Sequence, residues 1–289
     1  MKGFAIDPRA LSVLVLLVVA VFPRPAPADE SARRAAARSY LKLPAGGKPA
    51  ALPYVWERKA GAKHLAVLGT RHLSNPHSPM YDGIEAAFER VRPQIVLHES
   101  QIPGDLKTMS KDAAIARAAD LGFIAYLTHR RGIPVRSGDA SVKQEITALL
   151  ARYSTEEILV FMVAQRLIGN RRNPDLKTAE AQYAAFYADY LVANGLPKRE
   201  GWDRWSGFMR EYQRLLGKPL SGNGWDPDLT SPIRRGRLSE LARSTNAVRD
   251  RHLVASIERA MREHDRVLVV FGAWHVLAVE PILDSEFER

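Results

Sequence analysis

Leu65-Ala66-Val67-Leu68-Gly69-Thr70-Arg71-His72-Leu73 recurs near the C-terminus as Leu268-Val269-Val270-Phe271-Gly272-Ala273-Trp274-His275-Val276. Each copy is an apolar run, a glycine, two variable residues, a histidine and another apolar residue. Four apolar residues without alternation read as a strand buried on both faces, as in a parallel or mixed sheet covered by helices. A glycine at the strand's end allows a sharp turn or a close approach to a ligand. The histidine then falls just past a carboxyl strand end, where open α/β sheets place their sites. The bare Gly-x-x-His pattern is weak evidence in a chain with 19 glycines and 8 histidines. Gly61-Ala62-Lys63-His64 also matches it, but in a turn ahead of its strand, and is set aside.

Outward from the first copy, Tyr54-Val55-Trp56-Glu57-Arg58 alternates, and Lys59 to Lys63 carries a glycine turn, so a hairpin delivers His72. A helix follows from Ser78 to Val91, with Ile84, Ala87, Phe88 and Val91 at helical spacing, and Pro93 closes it. Gln94-Ile95-Val96-Leu97-His98-Glu99-Ser100 is the next strand. Glu99 follows an apolar run, so its carboxylate must find a partner or shift its pKa. His98 points to the opposite face if the strand is regular, and reads as a satisfied core histidine. Lys111 to Arg131 is a helix with Ile115, Ala118, Ala119 and Ile124 inward, closed by Gly132. Ile133 to Asp139 is a short strand ending in a second acid, which helix capping before Ser141 explains equally well.

Residues 141–236 read as helical, without a convincing strand. Ser154-Thr155-Glu156-Glu157 is an N-cap with an acidic first turn, leading a helix to about Ile168. Tyr183, Phe186, Tyr187 and Tyr190, then Trp202, Trp205, Phe208, Met209 and Tyr212, recur at helical spacing, either as core between helices or as an aromatic cap over a site. Ser221 to Pro232 reads as an exposed loop. A last helix spans Leu238 to His264 and carries Arg249-Asp250. Arg249 could grip a carboxylate or a developing oxyanion with its planar fork, or make an ordinary i,i+4 surface pair. The fold class is therefore α/β, a central mixed sheet flanked by helices with a long helical insertion.

The N-terminus reads as a secretory signal over residues 1–28: Lys2 and Arg9, an apolar run from Leu11 to Phe22, and Ala26-Pro27-Ala28 before Asp29. The expected location is periplasmic or extracellular, with membrane contact only through the uncleaved signal. Residues 29–52, rich in Ala, Arg, Pro and Gly, read as a linker or frayed helix, with the domain starting at Pro53. There is no cysteine, which excludes disulfides and thiolate metal sites. The formal charge is +10. Loss of Lys2, Arg9, Arg24 and Asp7 with the signal leaves it at +8, a balance suited to anionic envelope polymers or acidic ligands, or simply a solvated basic surface. No nucleic-acid motif or basic stripe with interleaved aromatics is present, so nucleic acid is not an expected partner.

A hairpin leading into Gly-Thr-x-His, a strand ending in Glu, a late helix with Arg-Asp-x-x-Leu and a final Gly-Ala-x-His together resemble the TraB/Tiki family, within the erythromycin esterase/ChaN-like superfamily. The matching positions are Gly69, Thr70 and His72; Glu99; Arg249, Asp250 and Leu253; and Gly272, Ala273 and His275. They run from Pro53 to Ile282, with nothing matched individually across the helical middle. Ser100 departs from the family, which more often has a second acid after the glutamate. The resemblance implies one cleft with His72, Glu99, Arg249 and His275 as catalytic residues. Gly69, Thr70, Gly272 and Asp139 are the candidate substrate-binding positions. It also implies a divalent-metal-dependent peptidase acting on a peptide or small ester, with His72, Glu99 and His275 as ligands for Mn, Co, Zn or Fe. A metal-independent esterase with His72 as general base, and a non-catalytic binder of haem or another iron ligand, are the alternatives.

Overall fold

The described residues of the computed structural model are 36–44, 49–169, 174–222 and 225–287. The signal expected at residues 1–28 lies outside them. Two strands, β1 (Tyr54–Ala60) and β2 (Lys63–Thr70), form the expected hairpin, with Tyr54 opposite Gly69 and Ala60 opposite Lys63. Then come β3 (Ile95–His98), β4 (Val135–Ser137) and β5 (Arg266–Gly272), and the five strands make one sheet in the order β1-β2-β5-β3-β4. All but β1 run parallel. The last strand to be made thus sits at the centre, and the carboxyl ends of β2, β5, β3 and β4 share one edge, as the sequence predicts.

The unbroken apolar runs are explained by helices on both faces. On one face Leu65, Val67, Ile95, Leu97, Val267, Val269 and Phe271 pack against α7 (Arg237–Glu263) and α8 (Ala273–Phe287). On the other, Ala66, Leu68, Val96, Leu268 and Val270 pack against α1 (Pro79–Val91) and α2 (Lys111–Arg131). Each fully buried Val, Leu, Ile or Phe contributes about 1.5–3 kcal/mol, so the strands and not the residues beyond their ends hold the sheet.

Helix ends follow their caps. Ser78 caps α1 with Pro79 in its first turn, Ser110 caps α2, and Gly132 closes α2 in the left-handed region at φ 63°. Inside α2 the helix breaks: Ala118 has φ −142° and Ala119 has φ 50°, ψ −131°. The two halves fold against each other so closely that a Cβ on Gly122 would lie 1.9 Å from the carbonyl oxygen of Ala114. Only glycine fits there.

Between β4 and α7 lie α3 (Val142–Leu150), α4 (Thr155–Met162), α5 (Leu176–Ala185) and α6 (Trp205–Leu216), with no strand among the described residues. Ser141 and Ser154 each make a capping box, with Gln144 and Glu157. Helices α4 and α5 run on into wider π turns at Val163–Ile168 and Phe186–Leu191. The insertion has a core of its own, in which Tyr183, Tyr187, Trp202, Phe208 and Tyr212 are buried. Those aromatics are packing between helices rather than a lining over the site. The expected exposed loop at 221–232 is also partly core, because Trp225 is buried there. Leu238, Leu241 and Ala242 at the start of α7 belong to the insertion's core, and Leu253, Val254 and Ile257 to the sheet's. Arg249 and Asp250, midway, are held where the two cores meet.

The linker reading fails for residues 36–44. Arg38 donates to Leu277 O and Glu280 in α8, and Tyr40 and Leu43 are buried against Leu277 and Ala278. Ala35–Arg289 fold as one unit, and its start precedes Pro53 because this strap buries apolar side chains that the low-complexity composition hides.

Candidate active site

At the carboxyl edge each strand hands over one group. His72 lies in the loop after β2, Glu99 one residue past β3, Asp139 two past β4, and His275 in the first turn of α8. His98 shares the Val96 face and stands beside Asp120 of α2, while Glu99 turns to the other side, toward Arg249 and the Gly272 N–H, as alternation predicts. His98 is buried as expected, yet it also borders the cavity that Glu99 lines.

Glu99 is the hub. Its Oε1 accepts from the Gly272 N–H at 2.9 Å and faces Arg249 Nη2 at 3.5 Å and His275 Nε2 at 4.0 Å. Its Oε2 lies 3.3 Å from His72 Nε2. Burial alone would raise this carboxyl, but His72, Arg249 and His275 outweigh it and hold it well below the usual carboxylate range. The start of α8 adds a favourable helix N-terminus. A Cβ at position 272 would stand 2.9 Å from Glu99 Oε1, so the second motif's glycine is there for the carboxylate. At Gly69 a Cβ would instead meet Ala273 Cα at 3.0 Å and Tyr54 Cβ at 3.1 Å, a packing reason with no ligand in it.

Both histidines are gripped from behind. His72 Nδ1 is 2.7 Å from Asp120 Oδ1, and His275 Nδ1 is 2.6 Å from Asp250 Oδ1. Each Nδ1 is thereby committed to a carboxylate and each Nε2 is turned toward Glu99. Asp120 is buried immediately after the α2 break, and the left-handed Ala119 aims it at His72; strained backbone of this kind clusters at functional sites. Its Oδ2 accepts from Thr70 Oγ1 at 2.6 Å. Thr70 is thus buried and its proton spent on Asp120, an orienting role in place of substrate contact. Hydrogen bonds to Asp120 and Glu99 push His72 up to about 10 against its burial. Asp120 is held low: burial opposes this, and the hydrogen bond from His72, with His98 close by, overrides it.

Asp250 has a second partner. Tyr40 Oη lies 3.1 and 3.0 Å from its two oxygens and 3.0 Å from His275 Nδ1. Burial, then the charge of Asp250, raises the phenol well above its ordinary value, so it stays a donor. Arg249 is no surface pair. It grips Asp139 with Nε at 2.9 Å and Nη2 at 2.7 Å, and this fork holds its charge high in spite of burial. Capping of α3 falls to Ser141, which leaves Asp139 to the arginine. His98 accepts the Ser100 N–H at Nδ1, 3.1 Å, which leaves the proton on Nε2, 3.7 Å from Asp120 Oδ2 and without a hydrogen-bond partner. His64, in the discarded third motif, bonds Glu57 at the far end of β2.

A cavity of about 450 Å³ opens on this constellation, lined by His72, His98, Glu99, Asp120, Asp139 and Arg249, with Arg117 and Arg166 at its walls. The structure brings His72, Glu99, Arg249 and Asp139 together on the cavity and places His275 behind Glu99, off the cavity wall. Sequence reasoning gave no role to Asp120, Tyr40 or Asp250. Asp120 had one signal, an acid on the apolar face of a helix. Among the described residues, no three or more His, Asp or Glu side chains stand as a preassembled metal cage. The donor set of two imidazoles and a carboxylate nevertheless suits a divalent cation, and a carboxylate on the far ring nitrogen is the usual support of a metal-binding histidine. Comparison with protein-family models, curated proteins and solved structures finds no match to this chain.

Proposed function

We propose that this chain is an exported hydrolase of the TraB/Tiki kind, cleaving a peptide or ester bond with a divalent cation. One observation carries the reading: two histidines, each anchored at Nδ1 by its own aspartate, direct Nε2 at a single buried glutamate beneath a cavity. His72 and His275 through Nε2, with Glu99, would hold the cation. When bound, it supplies Lewis acidity to the scissile carbonyl. The chain's own residues do the rest. Asp120 and Asp250 fix the rings, Gly272 N–H and Arg249 hold Glu99 ionised, and Arg249, kept rigid by Asp139, faces the oxygen on which charge develops.

The metal-independent alternative uses the same groups, with His72 as general base and Asp120 and Glu99 at its two ring nitrogens. Either role requires His72 to give up a proton that those two acids favour, so added metal, and not the ring's titration, separates the two readings.

Metal analysis of the purified mature protein, with activity on a peptide and ester panel with and without Mn, Co or Zn, tests this. His72→Ala and His275→Ala should each abolish turnover, the double variant should be scarcely worse, and circular dichroism melts should stay cooperative. Active alanine variants would sink the reading. A Soret shift with haemin, in a protein that hydrolyses nothing, would favour the haem binder.

A further inference from the structure

The cavity's ionic groups are sorted by depth. Its acids are withdrawn: the side chains of Glu99, Asp139 and Asp120 are 11%, 14% and 1% exposed. Each is already engaged, by Gly272 N–H, Arg249 or His72. The groups open to an incoming molecule are basic: His72 at 61%, Arg117 at 62% and Arg166 at 31%. They come from separate elements, the loop after β2, the first half of α2, and the π turn after α4.

Arg166 is the insertion's own contribution. It sits on a π turn, an irregularity found disproportionately at functional sites. Its Nη2 is steadied at 3.0 Å by Glu145, a buried acid on α3. Burial of that acid costs stability and makes sense if it aims a guanidinium into the cavity. Arg117 meets Asp105 at 3.3 Å across an exposed surface pair, which is worth little and easily exchanged.

We propose that the substrate carries a carboxylate beside the scissile bond, and that Arg166, with Arg117 at the rim, recognises it. A planar guanidinium fork matches a carboxylate bidentately, and the basic chain favours the approach of anions. That carboxylate is a peptide's free C-terminus or an acidic side chain. The bond cut rests on the hydrolase reading; the anion site does not.

Two arms test this on the mature protein. In the first, peptides with a free C-terminus are compared with their amides, and Glu peptides with Gln ones. At least one acid form should be favoured about tenfold or more in kcat/KM, the C-terminal pair identifying one source and the Glu/Gln pair the other. Arg166→Met should reduce the ratio to near one, chiefly through a higher KM for the acid form. In the second arm, calorimetry compares glutarate with glutaramide; glutarate should bind saturably and the diamide should not, with about tenfold weakening in Arg166→Met. Should that variant misfold because Glu145 is left unpaired, Arg166→Met combined with Glu145→Gln gives the same readout. Equal cleavage of acid and neutral peptides overturns the carboxylate and leaves the hydrolase standing. Glutarate binding through Arg166 without any hydrolysis supports the anion site while the hydrolase fails. Absence of glutarate binding, or binding indifferent to Arg166, overturns the proposal.

Discussion

Replacing Tyr40 by Phe removes one oxygen from the molecule and leaves the ring. That oxygen lies 3.0 and 3.1 Å from the carboxylate of Asp250 and 3.0 Å from His275 Nδ1, with all three residues buried. A hydrogen bond to a buried charge is worth about 1.5–3 kcal/mol, and no cavity larger than the hydroxyl opens, so a stability loss of about 2 kcal/mol is expected in a denaturant melt. The second effect tells a positioning role from a merely structural one. Asp250 orients His275, and loss of such outer support commonly costs about 10–100-fold in metal affinity or activity. Competition titration of Mn or Zn, with kcat on any substrate the panel yields, should show that loss under conditions where the variant is fully folded. Unchanged metal affinity and kcat alongside the stability loss would refute the positioning role. A stability change under about 0.5 kcal/mol would refute the hydrogen bond itself.

Gly272→Ala should lower turnover about a hundredfold with a stability cost of about 1–3 kcal/mol, because its Cβ at 2.9 Å displaces Glu99 Oε1. Gly69→Ala, which presses only on Ala273 and Tyr54, should cost stability and spare kcat in the folded fraction; equal kinetic damage from both would refute the distinction. In the metal-free protein His72 should titrate near about 10 by NMR. A raised histidine contributes stability that is full below its unfolded value of about 6.5 and is lost as pH climbs toward about 10. Asp120→Asn should bring that titration down and flatten the slope, and a ring still titrating near 10 would show that Asp120 is not its partner.

What was legible in the chain followed from patterns that burial imposes. Four-residue apolar runs announced strands covered on both faces, and the serine caps and Gly132 marked helix ends. The shared edge followed from the order of those elements. What was illegible lay where local preference and tertiary demand part. Ala118 and Ala119 are good helix formers, so nothing in them shows the break that delivers Asp120 to His72. Period-two reasoning put His98 opposite Glu99, as it is, but nothing in that spacing showed that an acid from the broken helix α2 stands beside it. Tyr40 is a lone aromatic in a stretch of Ala, Arg and Pro, and its partners are more than two hundred residues away. Long-range hydrogen bonds of that kind leave no periodicity to read.

The two Gly-x-x-His copies look like one device used twice, and the register shows that they are not. Gly69 stands opposite Phe271, and Thr70 opposite Gly272, so the copies are displaced by one residue across the β2–β5 pair. After β2 the chain leaves the sheet as a loop, and His72 is exposed; after β5 it coils at once into α8, and His275 is buried. The aspartates behind them differ accordingly, one aimed by a strained helix break and the other carried on the long rod of α7 beneath an N-terminal strap. Equivalent imidazoles are thus built by unlike supports. The first ring opens on the cavity, while the second is enclosed, with Asp250 and Tyr40 behind its Nδ1 and Glu99 before its Nε2. That asymmetry is a physical reason for the fold to fasten its N-terminal strap over His275 and to leave His72 open to the cavity.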